Sequence, residues 1–495
     1  MRHLRNQQRT ILFLIADTGA GHRSAANAIS SAIKLIVQQE QEVWLASQAV
    51  GSVINMSTGE AIPSPALPAA VVEETTEVAP VNYRIEIVDV FEEYSRFPLR
   101  EAVKLYGPTI RYNPKLYGEV FHLSNREGTM QLTESLASPL ILNGLLRLFS
   151  SVQPDIIVSI HPMLNHVTVR ALHELGLPIP FLTVVTDLIS VHYSWFAPGV
   201  DGYIVPTEQA KTLYLRRGLD PNRVHMLGMP IDPKYTLPIE SKTVLQHKIG
   251  LKSDLPVVLL VGGGDGAGGL YASIRAISHA RLPVQLLVVT GRNRRLYAQL
   301  QRIRTSLHVS AKIFGFVQNM PELMHASDVI VTKAGPGTIC EALACNLPVI
   351  LSGYVPGQEE GNVEFVINND VGVFAHDSSV LVDALRRLLK PGSPELRRRL
   401  KNAQMLSRPR ASFDIAQCIL SYIPSREEES VWQSPHSQRR QRMMSGRMRS
   451  AIRLRRLHHP LPLSLSQNLL TRQLGRFRSN GLTSSLIRTL EKPKR

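Results

Sequence analysis

Cysteine is almost absent: Cys340, Cys345 and Cys418 are the only three in 495 residues. Three thiols cannot build a disulfide scaffold or a four-thiolate zinc site, and a reducing compartment suits them. Long hydrophobic runs are also missing. None reaches the ~18 residues that a membrane span needs, and the longest candidates, residues 136–149 and 257–261, are short or interrupted. The apolar stretch 11–16 near the N-terminus is shorter than the roughly 7 residues of a secretory core, so it reads as a first buried strand. There is no G-x-x-x-x-G-K-[S/T], which argues against a P-loop NTPase. No internal repeat of solenoid period is visible.

What is present is ample core material. Hydrophobic residues make up 44% and charged residues 19%, which excludes global disorder and fibrous chains, and the length suits two or three domains. The net charge of +16 is unevenly placed. Residues 425–495 hold 16 Lys/Arg against 4 Asp/Glu, a net of +12, which leaves +4 for residues 1–424. Basicity is therefore mostly a property of the tail and speaks to partners, not to fold.

The body alternates short apolar runs with amphipathic stretches, the pattern of a parallel sheet covered by helices. Strands are predicted at 11–16, 83–90, 155–160, 181–186 and 202–205, with a helix over 24–37. A second series follows a Pro-containing hinge near Pro230, with strands at 257–261, 284–289, 311–314, 329–331 and 349–351. Helices are predicted at 270–280 and 293–306. Residues 408–424 read as a closing helix and 425–495 as a disordered basic tail. Between about residues 41 and 82 the composition shifts to Ala, Val, Pro, Ser and acidic residues, so this stretch reads as a flexible surface insertion.

Two glycine loops follow strands and open helices: Asp17-Thr-Gly-Ala-Gly-His22 and Gly262-Gly-Gly-Asp-Gly-Ala-Gly-Gly269. Such loops let backbone N–H groups approach a phosphate or carboxylate at a helix N-terminus, or serve only as tight turns. The second satisfies G-x-G-x-x-G, but the acidic residue that a dinucleotide site wants about 20 positions on is missing. His22 is the most suggestive titratable group, because a neutral imidazole there can take a proton from a hydroxyl. The alternative is a histidine that only bonds nearby backbone. Asp17 either orients an imidazole or caps the turn.

These residues resemble a known family. Asp17-Thr-Gly-Ala-Gly-His-Arg23 is similar to the D-T-G-G-G-H-R loop of the monogalactosyldiacylglycerol synthases. Those enzymes are related to the bacterial peptidoglycan-precursor N-acetylglucosaminyltransferase. His161-Pro-Met-Leu-Asn-His166 is similar to the family's H-P-L-M-x-H. Residues 185–196 follow V-T-D-L-x-x-x-H-x-x-W-F. Thr332-Lys-Ala-Gly-Pro-Gly-Thr-Ile-Cys-Glu-Ala342 and Pro356-Gly-Gln-Glu-Glu-Gly-Asn362 complete a series that keeps its order across residues 11–389. Ala20 departs from the usual Gly, and the insertion and the tail have no counterpart.

The resemblance implies a GT-B architecture, two Rossmann-like α/β domains facing a cleft. The N-terminal domain (1–230) would bind the acceptor lipid, and the C-terminal one (231–407) the UDP-sugar. It implies inverting transfer of a hexose, galactose before glucose, from a UDP-hexose donor to diacylglycerol; the alternatives are transfer to another lipid-linked or cell-wall acceptor, or a non-catalytic nucleotide-sugar or lipid-binding protein. His22 would be the base, and Asp187 either supports His22 or the acceptor or is a turn residue. On the donor side the implied residues are Gly263, Gly264, Asp265, Gly335, Gly337 and Thr338 around the diphosphate, and Glu341 on the ribose. Phe316 and Val317 would flank the uracil, and Gln358, Glu359 and Asn362 would read the sugar. On the acceptor or membrane side they are Gly19, Gly21, His161, His192 and Trp195.

No tightly bound cofactor is expected, and no obligatory metal, since the donor half has no D-x-D and His161 and His166 lack a third ligand in pattern. Residues 92–123 interleave aromatics with Lys and Arg and read as an interfacial segment or as ordinary core helices. The tail suits anionic lipid at about 1 kcal/mol per basic residue, nonspecific nucleic acid, or nothing. Only Trp432 and Phe477 interrupt it, so no specific nucleic-acid module is expected. The expected location is cytoplasmic, peripheral to the inner face of a membrane.

Overall fold

The computed structural model describes residues 8–17, 21–56, 80–237, 239–262 and 269–424. The basic tail, Gly19, Ala20, Gly263, Gly264 and Asp265 lie outside them.

The N-terminal half runs β1 (Gln8–Ile15), α1 (Gly21–Met56), β2 (Asn82–Asp89), α2 (Val90–Tyr94), α3 (Leu99–Lys104), α4 (Tyr106–Tyr112), α5 (Pro114–Ser124) and α6 (Glu127–Val152). It continues with β3 (Ile156–Ser159), α7 (Asn165–Leu175), β4 (Phe181–Val184), β5 (Gly202–Val205), α8 (Glu208–Arg216) and β6 (Val224–Met226). After α9 (Lys242–Ile249), the second half follows as β7 (Val257–Val261), α10 (Leu270–His279), β8 (Gln285–Val289), α11 (Arg294–Ile303), β9 (Ser310–Phe314), α12 (Met320–His325) and β10 (Val329–Lys333). It ends with α13 (Pro336–Ala344), β11 (Val349–Gly353), α14 (Glu360–Asn368), β12 (Gly372–Phe374), α15 (Ser378–Leu388), α16 (Pro394–Leu406) and α17 (Ala411–Ser421).

Each half holds a six-stranded parallel sheet, in the orders β2-β1-β3-β4-β5-β6 and β12-β11-β10-β7-β8-β9. Parallel strands covered on both faces read as unbroken apolar runs. Accordingly, Ile11, Leu12, Phe13, Leu14 and Ile15 of β1 and Val257 to Leu260 of β7 are fully buried. The strand order turns back on itself between β1 and β3 and between β7 and β10. Ligands of doubly wound sheets bind beyond the strand C-termini at such switch points, which marks two places before any side chain is considered.

Helix α1 presents Ala25, Ala26, Ile29, Ala32 and Ile33 to the first sheet at helical spacing. It runs on to Met56, so 41–56 is helix and not the flexible insertion expected there. Residues 38–50 contain neither glycine nor proline, and the Gln/Glu/Ala content sustains the helix. The closing helix α17 crosses back to the first half, where Ile415, Ala416 and Ile419 pack with α1 beneath β1, β3 and β4. Strands β6 and β12, three residues each, were not expected from the sequence. Helix α6 contains one 18-residue window, Ser135–Val152, with mean hydropathy 1.3, long and apolar enough to cross a membrane. Its Ile141, Leu142, Leu145, Leu148 and Phe149 instead fill the core of the first half against α2 and α7.

Candidate functional site

The first switch point carries two histidines. His22 is the second residue of α1 and His161 follows β3 by two positions, so each element delivers its imidazole to the β1/β3 crevice. The rings meet edge-to-face at 4.8 Å, and His161 meets Phe91 in the same way at 5.5 Å. Burial pushes the His22 imidazole down to about 4, opposed by a hydrogen bond with the Ile160 backbone and by the Asp17 charge. His161 is held well below the ordinary imidazole range by burial and by its neighbour His22. Both rings are neutral at pH 7, the protonation state a base needs. Among the described residues no partner reaches His22 Nδ1. Asp17 is held by Arg23, with Nε at 2.9 Å from both oxygens and an ion pair at 2.7 Å. Its backbone N–H donates to Asp89 Oδ2 at 2.9 Å. It therefore acts on His22 through charge.

Asp187 does not join this pair. Trp195 Nε1 donates to its Oδ2 at 2.7 Å, and burial pushes its carboxyl up to about 6 against that hydrogen bond and one from the His192 backbone. The expectation that Asp187 supports His22 is corrected: the carboxylate acting on His22 is Asp17. The expectation that Trp195 meets the membrane is corrected too. It is 0% exposed in the core of the first half, because its ring completes that core while its one polar atom is satisfied by Asp187. His192 is likewise buried. Its Nδ1 lies 2.7 Å from Ser194 Oγ, its Nε2 3.3 Å from Ser124 Oγ, and its ring 4.8 Å from that of Phe121. It anchors α5 instead of facing a bilayer. Gly21 is exposed, with open space where a Cβ would stand.

The second switch point is the start of α13. Gly335 is its N-cap and no side chain caps it; Pro336 at the first position carries no N–H, so the amides available to an anion are those of Gly337 and Thr338. Gly337 has open space at its Cβ position, and Thr338 lies in the same first turn. Beneath Gly335, Lys333 Nζ pairs with Glu359 Oε1, and Glu359 Oε2 accepts from the Val355 amide at 2.9 Å. Glu359 is 5% exposed. The resemblance made it a reader of sugar hydroxyls; here it is the counter-ion of Lys333, a residue that sequence reasoning left unassigned. Asn362 is buried, and its Nδ2 donates to the Ala334 carbonyl at 2.8 Å, fixing the turn into α13.

Glu341, one turn along α13, accepts from the Tyr235 hydroxyl and lies near Asp232. Burial, with Asp232 adding to it, pushes its carboxyl up to about 7. Phe316 is 63% exposed beyond β9, with the Arg292 guanidinium 5.6 Å from its ring centroid. Val317 packs against the core of the second half. An open aromatic face beside a cation is suited to stacking a planar base.

The halves meet along one flank. Helix α1 contacts both α13 and the turn Pro233–Tyr235 of the second half. Helix α5 closes on the loop after β11. Gly118 lies so near Pro356 that a Cβ would stand 2.8 Å from it, and a Cβ on Gly361 would stand 2.2 Å from Ser190 Oγ. Residues 92–123 divide three ways. Leu99 and Val103 pack on the core, Tyr106, Tyr117 and Phe121 turn inward, and Leu105, Leu116, Val120 and Leu123 stay exposed with Phe97. A separate cavity of about 220 Å³ lies at the hinge, lined by Met226, Met229, Leu343 and Met405 among others. Among the described residues no group of three or more His, Cys, Asp or Glu is placed to hold a metal ion.

Comparison with known proteins agrees with this geometry. The family described as "Monogalactosyldiacylglycerol (MGDG) synthase" matches residues 68–231, and "Glycosyltransferase family 28 C-terminal domain" matches residues 257–409. A probable monogalactosyldiacylglycerol synthase 2 of Oryza sativa subsp. japonica is 33% identical over 420 residues, covering 83% of this chain and 80% of that protein. Monogalactosyldiacylglycerol synthase 1 of Arabidopsis thaliana is 31% identical over 83% of this chain and 70% of its own. Among solved structures, MurG of Acinetobacter baumannii aligns with a TM-score of 0.50 at 12% identity, over 83% of this chain and 99% of that one. That likeness supports the GT-B architecture of two facing α/β halves.

Proposed function

The chain belongs to the monogalactosyldiacylglycerol synthase family, and from that premise we propose that it transfers a hexose, galactose in preference to glucose, from a UDP-sugar to diacylglycerol. It is a glycosyltransferase of that family's type. The observation that carries the finer reading is the pairing of a base on one half with an open helix start on the other. His22 on α1 is neutral, and α13, a helix that α1 touches, begins with amides that no side chain caps.

In this reading the uracil lies against Phe316 and Val317, the ribose hydroxyls donate to Glu341, and the diphosphate takes the first amides of α13. His22 accepts the proton of the primary hydroxyl as that oxygen attacks the anomeric carbon. The bond from that carbon to the diphosphate oxygen breaks, UDP leaves with the electron pair, and configuration inverts. Positioned base catalysis contributes about 10²–10⁴-fold, and fixed amide dipoles meet the leaving charge. The reaction in this reading needs no divalent ion. The exposed Phe97, Leu105, Leu116, Val120 and Leu123, with Lys115 and Arg126 nearby, support peripheral docking on the inner face of an anionic membrane.

The test is incubation of the purified protein with UDP-galactose or UDP-glucose and diacylglycerol vesicles, with and without EDTA. Monogalactosyl lipid is expected in both conditions. His22→Ala should lose about 10²-fold or more in turnover while still binding UDP. Absence of glycolipid from either donor would overturn the proposal.

A further inference from the structure

We propose that Tyr106 and Tyr117 are positioning residues that lock the Gln358 carboxamide so that only its NH2 group is offered to the donor sugar. The inference rests on the reading above, in which Gln358 faces the transferred hexose. Tyr106 comes from α4 and Tyr117 from α5, both in the first half, whereas Gln358 belongs to the loop between β11 and α14 in the second. The two rings stand edge-to-face at 5.4 Å, so their hydroxyls converge on one point. Tyr106 Oη donates to Gln358 Oε1 at 2.8 Å and Tyr117 Oη to the same atom at 2.9 Å.

An amide oxygen has two lone pairs, and the two phenols converge on it, the Tyr106 hydroxyl being hydrogen-bonded to that of Tyr117 as well. The NH2 end has no protein partner among the described residues. Burial holds both phenols protonated, Tyr117 at about 12 and Tyr106 well above its ordinary range, so both remain donors at any physiological pH. The backbones are fitted as closely as the side chains. A Cβ on Gly118 would stand 2.8 Å from Pro356 Cβ, and one on Gly357, whose φ is +79°, would stand 2.8 Å from Phe121 Cδ1. Both glycines are sites of close approach between the two halves.

A free carboxamide can present either its oxygen or its NH2 to a sugar hydroxyl, and it adapts to hydroxyls of either orientation. A clasped one can only donate. The hydroxyl opposite must then turn a lone pair toward Gln358 and send its own proton elsewhere. That is a geometric selection among hexoses, made by residues that never touch the sugar.

The experiment compares Tyr106→Phe, Tyr117→Phe, the double variant, Gln358→Glu and Gln358→Ala. Readouts are KM for the UDP-hexose, kcat, calorimetric binding of UDP and thermal stability. Gln358→Glu keeps two acceptors for the phenols and removes the NH2 donor. Gln358→Glu should raise KM for UDP-galactose about tenfold, the size of one lost hydrogen bond, whereas the double Phe variant, whose carboxamide is free to turn, should shrink the difference in KM between UDP-galactose and UDP-glucose. UDP affinity and melting temperature should be essentially unchanged. A parallel fall in UDP affinity and melting temperature would make the tyrosines merely structural and overturn the proposal. So would unchanged KM and kcat in the Phe variants while Gln358→Ala raises KM. If both Gln358 variants are also silent, the placement of Gln358 on the sugar itself fails, a separate result.

Discussion

Glu341 offers a test in which function and stability move in opposite directions. Its carboxyl is pushed up to about 7, first by burial and then by the Asp232 charge, against the Tyr235 hydrogen bond. With that value about a tenth is ionised at pH 6 and about nine tenths at pH 8. If the ionised form grips the ribose hydroxyls, affinity for a UDP-hexose should rise about tenfold between those pH values. The donor is a diphosphate diester and does not itself titrate in this window, so calorimetric titration at pH 6, 7 and 8 reads the protein alone. Glu341→Gln should bind more weakly and without pH dependence. Stability runs the other way. The folded carboxyl holds its proton up to about 7 whereas the ordinary value is 4.5. Between those values the folded state binds more protons, so stability falls as pH rises. The total is at most roughly 3 kcal/mol. At pH 8 Glu341→Gln should therefore shift the urea midpoint upward while donor affinity drops. A flat wild-type binding profile, or a variant destabilised at pH 8, would refute the reasoning.

Two further outcomes are expected. Because burial holds His22 at about 4, kcat at saturating donor should stay constant from pH 8 to 5.5 and fall only toward pH 4. An acid limb near 6.5 in the pH–rate profile would show an ordinary, solvated imidazole. Gly361→Ala would drive a Cβ to 2.2 Å from Ser190 Oγ and 3.1 Å from Ser190 N. It should lower stability by about 1–3 kcal/mol and reduce turnover, as read by urea denaturation and the galactolipid assay, with Ser190→Gly in the same chain restoring part of both.

Much of the fold was legible because doubly wound sheets write themselves as unbroken apolar runs. Residues 257–261 were placed to the residue, and 83–90 and 329–331 to within two. What escaped were elements held by neighbours instead of by their own pattern. β6 and β12 are three residues long and exist because β5 and β11 offer an edge. The extension of α1 was hidden by its polar composition, since an exposed helix carries no apolar stripe to announce it. In the site, types and order of residues were readable, but partners were not. Trp195 looked like an interfacial anchor because nothing in one dimension shows that Asp187 takes its N–H. Glu359 looked free because Lys333 lies 26 residues away in sequence. The interleaved aromatics of 92–123 were visible, yet only the fold separates Tyr106, Tyr117 and Phe121, which face the second half, from Leu105, Leu116 and Val120, which face out.

The charges around α13 constrain how a leaving diphosphate is met in the proposed reaction. Lys333 is a partly exposed cation beside the helix start, but Glu359 neutralises it and is itself held by the Val355 amide. The pair is costly to break from one side, because removing Lys333 strands the buried Glu359 carboxylate without a counter-ion. The pair therefore adds little net field at the helix start. Glu341, partly ionised, contributes repulsion that its own raised value already expresses. The favourable field left is that of the amides at the N-terminus of α13, equivalent to about half a charge. Fixed dipoles cost no reorganisation when charge develops on the departing oxygen. The ion pair keeps them in place: Lys333 and Glu359 lie under Gly335, and Asn362 ties down the carbonyl of Ala334. Loss of Glu359 would thus act on catalysis by loosening the turn that aims these amides, not by removing a contact to the sugar.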